Sequence, residues 1–198
     1  MLHSKLITRN DIDIIFQTLA DNYEKLGGSK IVNIYLVGGA AIVLGFNYRM
    51  STIDIDAYFT DNETLMQAIE VTGKEKGLAN HWLNYDFINT PSYSKNIIEK
   101  SKMHSQFGRY INVFKLETKY LIAMKLKSSR PTGGDLDDII KMIYETRLNK
   151  INLTYDDVIK AYEELYTNFD NTYDYFFKKT KEAFETPLED IELIFNPH

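Results

Sequence analysis

Residues 35–59 read as a buried strand, the glycine pair Gly38-Gly39, a short apolar helix, and a second strand that carries Asp54 and Asp56. Strand residues two apart point to one face. Asp54 and Asp56 are therefore expected side by side, with Ile53, Ile55 and Ala57 on the opposite face. Two adjacent carboxylates disfavour each other's ionised form unless a cation lies between them. Hard oxygen ligands of this kind suit Mg²⁺, which takes one or two carboxylates together with substrate phosphates. A helix starting just after Gly38-Gly39 presents backbone N–H groups to a phosphate. The segment thus predicts a metal site and a phosphate site joined by one short helix. The plainer reading is a glycine turn followed by solvent-facing aspartates on an edge strand. Asp is depleted in strands, however, and two of them among isoleucines need a reason.

The remaining sequence narrows the function classes. A chain of 198 residues suits one domain with an appended lobe. The absence of cysteine excludes disulfides and thiolate metal sites and suits a reducing cytosol. Residues 1–10 hold no apolar core of signal-peptide length, and no run approaches a membrane span. A cytoplasmic protein with no membrane partner is expected. His3, His81, His104 and His198 are scattered without metal-ligand spacing. The glycines do not follow the G-x-G-x-x-G pattern, and no second parallel β-α-β unit follows, which argues against a Rossmann site. The net charge of −5 argues against a generic nucleic-acid coat. Its distribution is uneven. Residues 91–130 carry nine basic and two acidic residues, a net of +7, whereas 131–198 carry seven basic and fifteen acidic ones, a net of −8. The basic middle fits a polyanion such as a nucleotide or RNA. Charges clustered on solvated helix faces give the same pattern.

Periodicity predicts helices over 11–26, 40–44, 62–76, 119–127 (capped by Thr118), 135–147, 154–168 (with a Thr154/Asp157 capping box) and 172–185. Strands are expected over 31–37, 53–59, 82–88 and 110–116, while 92–106 is ambiguous. The fold class is α/β, or α+β: a small mixed sheet flanked by helices, with a C-terminal helical lobe. Domains are expected over 1–148 and 149–198. The aromatic lobe residues Tyr162, Tyr166, Tyr173, Tyr175, Phe176 and Phe177 read better as core than as interface.

Gly38-Gly39 together with Asp54-Ile-Asp56 resembles the nucleotidyltransferase fold of the polymerase β superfamily. The signature of that fold is a strand ending in Gly-Gly or Gly-Ser, a short helix, and a strand bearing Asp-hydrophobic-Asp. The run Arg49-Met-Ser-Thr52-Ile-Asp-Ile-Asp56 is similar to the minimal nucleotidyltransferases of toxin–antitoxin and abortive-infection systems, the AbiEii-like group. Downstream, Lys125-Leu126, Arg130 and Asp138 resemble the later motifs of that group, with Asp135 competing for the last place.

The residues also have readings of their own. Lys125 borders the apolar stripe of its helix, where a lysine either snorkels to water or serves a buried anion. Arg130 offers a planar fork to phosphate or ends a helix favourably. Asp135 and Asp138 suit a helix cap as well as a catalytic role.

The resemblance implies a Mg²⁺-dependent enzyme, with Mn²⁺ as an alternative, that transfers a nucleoside monophosphate from a nucleoside triphosphate. The acceptor would be an RNA such as tRNA, or a protein hydroxyl. It implies Asp54, Asp56, Lys125 and Asp138 as catalytic residues. Gly38, Gly39, Arg49, Thr52, Lys125 and Arg130 would bind the nucleotide, and Asp54, Asp56 and Asp86 would bind metal. A toxin or phage-defence setting with a cognate antitoxin follows. Asp86 and Glu117 compete for the place of the third acid, and Asn84 shares the expected face of Asp86. The alternatives are a catalytically weak nucleotide- or protein-binding module, or an antitoxin.

Overall fold

The computed structural model describes residues 5–60, 62–130, 132–167 and 174–191. Strand β1 (Ile7–Thr8) leads directly into helix α1 (Arg9–Lys25). Thr8 and Asp11 close a capping box there, and Ile12, Ile15, Phe16, Leu19 and Tyr23 are buried at helical spacing. The chain continues through β2 (Val32–Leu36), α2 (Gly38–Gly45), β3 (Ser51–Thr52), β4 (Ile55–Tyr58) and α3 (Glu63–Lys76). Asn62 caps α3 through its side chain, and Gly77 ends it in the left-handed conformation at φ +65°. Strands β5 (Leu83–Asn84), β6 (Ser101–Phe107) and β7 (Ile111–Leu116) follow.

The main sheet has the order β5-β4-β2-β7-β6. It is mixed: β2 runs parallel to β7 and antiparallel to β4, β4 is parallel to β5, and β6-β7 is an antiparallel hairpin. β1 and β3 form a separate two-stranded ribbon. One face of the main sheet is core, with Ile34, Leu36, Ile55, Ala57, Ile111 and Val113 fully buried. These elements form one compact unit, Met1–Ile88 with Ser101–Leu116.

The second unit comprises Asn89–Lys100 and Glu117–His198. It holds α4 (Thr118–Ser128), α5 (Asp135–Leu148), α6 (Tyr155–Leu165) and α7 (Asp174–Glu185). α4 packs on α5 and α6, and α7 packs on α5 and α6. Helices α4 and α5, read from sequence with the sheet, thus share their core with the C-terminal helices. Tyr162, Phe176 and Phe177 are buried there, Tyr175 is 59% exposed, and Tyr173 lies outside the described residues.

Several expectations need correction. The strand expected over 53–59 begins only at Ile55, because the chain bends at Ile53 and Asp54 between β3 and β4. Ile53 is consequently 60% exposed rather than buried with Ile55 and Ala57. The strand expected over 82–88 is only Leu83–Asn84, and Asp86–Asn89 is a 3₁₀ turn. The Asn84 side-chain carbonyl accepts the Asp86 N–H at 3.0 Å, which turns the chain out of the strand. Glu117, not Thr118, occupies the cap position of α4. The helix expected to reach 168 ends at Leu165. Residues 172 and 173, expected in the last helix, lie outside the described residues. No helix among the described residues is long and apolar enough to cross a membrane.

Candidate functional site

The first turn of α2 is where Gly38, Gly39, Arg49, Thr52 and Asp56 converge. β2 and β4 stay paired up to it, since the Val37 N–H donates to the Asp56 carbonyl at 3.0 Å. Gly38 follows with φ +55°, a conformation that a side chain disfavours. A Cβ on Gly38 would also stand 2.9 Å from Asp56 Oδ2. One residue on, a Cβ at Gly39 would stand 2.9 Å from both Arg49 Nη2 and Thr52 Oγ1. The glycine pair therefore lies inside the helix start, and it admits a carboxylate, a guanidinium and a hydroxyl against bare backbone. The cap residue Val37 supplies no side-chain acceptor to this turn. The first N–H groups of a helix have no intrahelical partner and attract anions.

The other end of α2 is fixed by cations. Arg9 Nε donates to the Val43 carbonyl at 2.9 Å and its Nη2 to the Phe46 carbonyl at 2.7 Å. Lys115 Nζ reaches Gly45, to within 3.2 Å of where a Cβ would lie. Burial, with the Arg9 charge nearby, pushes the Lys115 pKa down. Positive charge at a helix C-terminus is favourable, so Arg9 and Lys115 steady α2 at its far end.

Asp54 lies exposed in the bend before β4, and Asp56 is half-buried on β4 itself. The residue opposite Asp56 on β5 is Asn84, a carboxamide. Both ends of that amide are engaged: Nδ2 donates to the His81 carbonyl at 3.3 Å, and Oδ1 accepts from Asp86. Asp86 itself lies in the 3₁₀ turn, not on a neighbouring strand. Glu117 begins α4 in the second unit. Among the described residues, no three of His, Cys, Asp and Glu gather as a metal-holding group.

In the second unit, the four downstream residues form one ion-pair cluster. Lys125 Nζ on α4 lies 2.7 Å from Asp135 Oδ1 and 2.8 Å from Asp138 Oδ2 on α5. Arg130 grips the same Asp135 through Nε and Nη2, both at 3.1 Å, and through its backbone N–H. Asp135 is fully buried. Burial alone would raise its pKa, but the Arg130 hydrogen bonds and the Lys125 charge bring it down to about 2. Gly133 permits the tight return, since a Cβ there would stand 2.9 Å from Arg130 Cβ. Asp135, second choice to Asp138 in the sequence, is the acid that both cations share.

A family model described as a nucleotidyltransferase of unknown function (DUF6036) matches residues 14–185. No curated protein and no solved structure gives a significant match.

Proposed function

The chain belongs to the DUF6036 family of nucleotidyltransferases, and from that premise we propose that it moves a nucleoside monophosphate from a nucleoside triphosphate to a hydroxyl of an RNA, such as tRNA, or of a protein. The observation that carries this reading is the convergence of Asp56, Arg49 and Thr52 on the bare backbone of Gly38 and Gly39. The first N–H groups of α2 receive phosphate oxygens, with the Arg49 guanidinium and the Thr52 hydroxyl beside them. Asp54 and Asp56 would hold Mg²⁺, or Mn²⁺ in its place. Two carboxylates meet the usual demand of Mg²⁺, and the missing Cβ of Gly38 leaves room at Asp56 Oδ2. Such a cation would supply neutralising charge to the phosphates. The acceptor oxygen attacks the α-phosphorus in line; a new P–O bond forms as the bond to pyrophosphate breaks. Positioning and charge stabilisation are the work of the chain.

The biological setting that fits is a cytoplasmic toxin–antitoxin or phage-defence module of the AbiEii-like kind, with an antitoxin as partner. The amide at Asn84, where another carboxylate would strengthen the metal site, favours the second reading of a weak enzyme or nucleotide-binding module.

The test is label transfer from each of four α-labelled nucleoside triphosphates, with Mg²⁺, total tRNA and a cell extract. Asp54→Ala/Asp56→Ala serves as control. Transfer by the wild type that the control loses is the expected result and names the acceptor class. Binding without transfer to any acceptor favours the second reading. Neither binding nor transfer overturns both.

A further inference from the structure

The sheet face that carries Asp56 holds residues the phosphate chemistry does not use. Asp56 and Tyr58 share one side of β4, while Ile55 and Ala57 are buried on the other. Tyr58 lies opposite Tyr35 in the β2-β4 register, Tyr35 opposite Phe114 in the β2-β7 register, and Phe114 opposite Met103 on β6. Four neighbouring strands therefore place Tyr58, Tyr35, Phe114 and Met103 in a single row. The Tyr35 and Phe114 rings stack with centroids 4.8 Å apart and planes 21° apart, and the Tyr58 ring lies 6.3 Å from Tyr35, tilted 45° to it. All three rings are half-buried, and Met103 is 54% exposed. The next row on this face is made of amides: Asn112 opposes both Asn33 and Gln106, and Asn112 donates to Asn33 at 3.0 Å. A face meant only for burial would carry Val, Ile and Leu, as the opposite face does. Aromatic rings beside amide groups are instead what a nucleobase meets in a protein site, stacking on the former and pairing its edge with the latter.

We propose that this row is the subsite for the base of the nucleotide substrate. A strand rises about 3.3 Å per residue, which sets Tyr58 roughly 6–7 Å along β4 from Asp56. One ribose separates phosphate from base over a comparable span. The aromatic row ends at Tyr58 on the strand of Asp56, and there a base plane packs against the row. The subsite rests on the phosphate reading of Gly38, Gly39 and Asp56, and the experiment separates the two.

Binding of the four nucleoside triphosphates and of inorganic tripolyphosphate, which lacks a base, is measured by calorimetry with Mg²⁺ present. The proteins are the wild type, Tyr58→Leu, Tyr35→Leu and the conservative Tyr58→Phe. At least one nucleoside triphosphate is expected to bind the wild type about tenfold or more tighter than tripolyphosphate, the size of one base stacked on one aromatic side chain. The leucine variants are expected to lose that margin while binding tripolyphosphate as before, and Tyr58→Phe to keep it. Unchanged tripolyphosphate binding also certifies that the variants are folded. If the leucine variants retain the full margin, the base subsite is overturned and the phosphate reading stands. If the wild type binds neither ligand, the phosphate reading falls and the subsite with it.

Discussion

Gly38 carries two demands on one atom that it does not have. Its φ of +55° is strained for any residue with a side chain, and an added Cβ would press on Asp56 Oδ2 at 2.9 Å. Gly38→Ala is expected to cost about 1–3 kcal/mol in a urea melt and to abolish transfer, because the displaced group is the half-buried aspartate of the pair. Wild-type transfer rates in that variant would refute the placement of the phosphates at α2. Asp135 makes a different demand. It is the buried acid between Lys125 and Arg130; Asp135→Asn leaves Lys125 with Asp138 as its carboxylate partner and removes the charge that accepts from Arg130. The expected loss, that of weakened charge-assisted hydrogen bonds at a buried acceptor, is about 1–3 kcal/mol. Arg130→Ala, at a side chain 64% exposed, should lose under about 1 kcal/mol. The pH dependence has a definite sign. The Asp135 carboxyl titrates at about 2 in the fold against an ordinary 3.8, so its stabilisation is present above pH 4. It is lost as the pH falls from there through 2, and the acid limb of the stability curve should be shallower in Asp135→Asn than in the wild type. None of this was legible locally. Asp135 meets Lys125 across a break at Gly133-Gly134 and reads in the sequence as a helix cap or as a competitor of Asp138 for a catalytic place. The placing of Gly38, Gly39 and Asp56 was legible because their spacing is short and strand and helix geometry act within it.

At the scale of elements, the helices with strong ends were readable and the short strands were not. Asn62 and Gly77 bracket α3 with side-chain and left-handed caps, and Thr154 with Asp157 opens α6 as expected. Two-residue strands such as β1, β3 and β5 carry too few residues for alternation to register. They exist because a partner strand supplies hydrogen bonds. Strand β6 is mostly exposed and polar, so its seven residues show no apolar period, and pairing with β7 defines it. Asp54 was misplaced for a related reason: Ile53 and Asp54 continue the alternation of β4, but the turn from β3 takes them out of the sheet. A cap is a local device, which gives a clean expectation. Asn62→Ala removes the acceptor for the Leu65 N–H at 2.9 Å and should cost about 1 kcal/mol. Nucleotide binding should stay unchanged, since α3 contributes no group to the glycine turn. A binding loss beyond twofold at temperatures where the variant is fully folded would mean that α3 is coupled to the site.

For the whole molecule, the division of labour between the units decides where the chain can be cut. A boundary after residue 148 follows from the motifs, all of which lie before it. The cores are distributed otherwise. α6 buries Val158, Ala161, Tyr162 and Leu165 within the second unit, where it packs against α4, and α7 packs against α5. Polar ties run the same way: Arg147 Nη1 donates to the Ala183 carbonyl at 2.9 Å and the Thr186 carbonyl at 2.6 Å, and Lys100 meets Glu164 at 2.7 Å. Losing α6 and α7 exposes several large apolar side chains worth about 1.5–3 kcal/mol each. The sum reaches the whole stability of an ordinary domain, about 5–15 kcal/mol. A chain of residues 1–148 should therefore lose the fold of α4 and α5, and with it the Lys125–Asp135 cluster, even though it keeps every motif residue. Circular dichroism would show this as helix content below that expected for α1 to α5 and as a broad melt, with the second unit's transition missing. A truncated chain that melts cooperatively at the wild-type temperature would mean that α4 and α5 are stable without their C-terminal partners, and that the motif-based boundary is also a folding boundary.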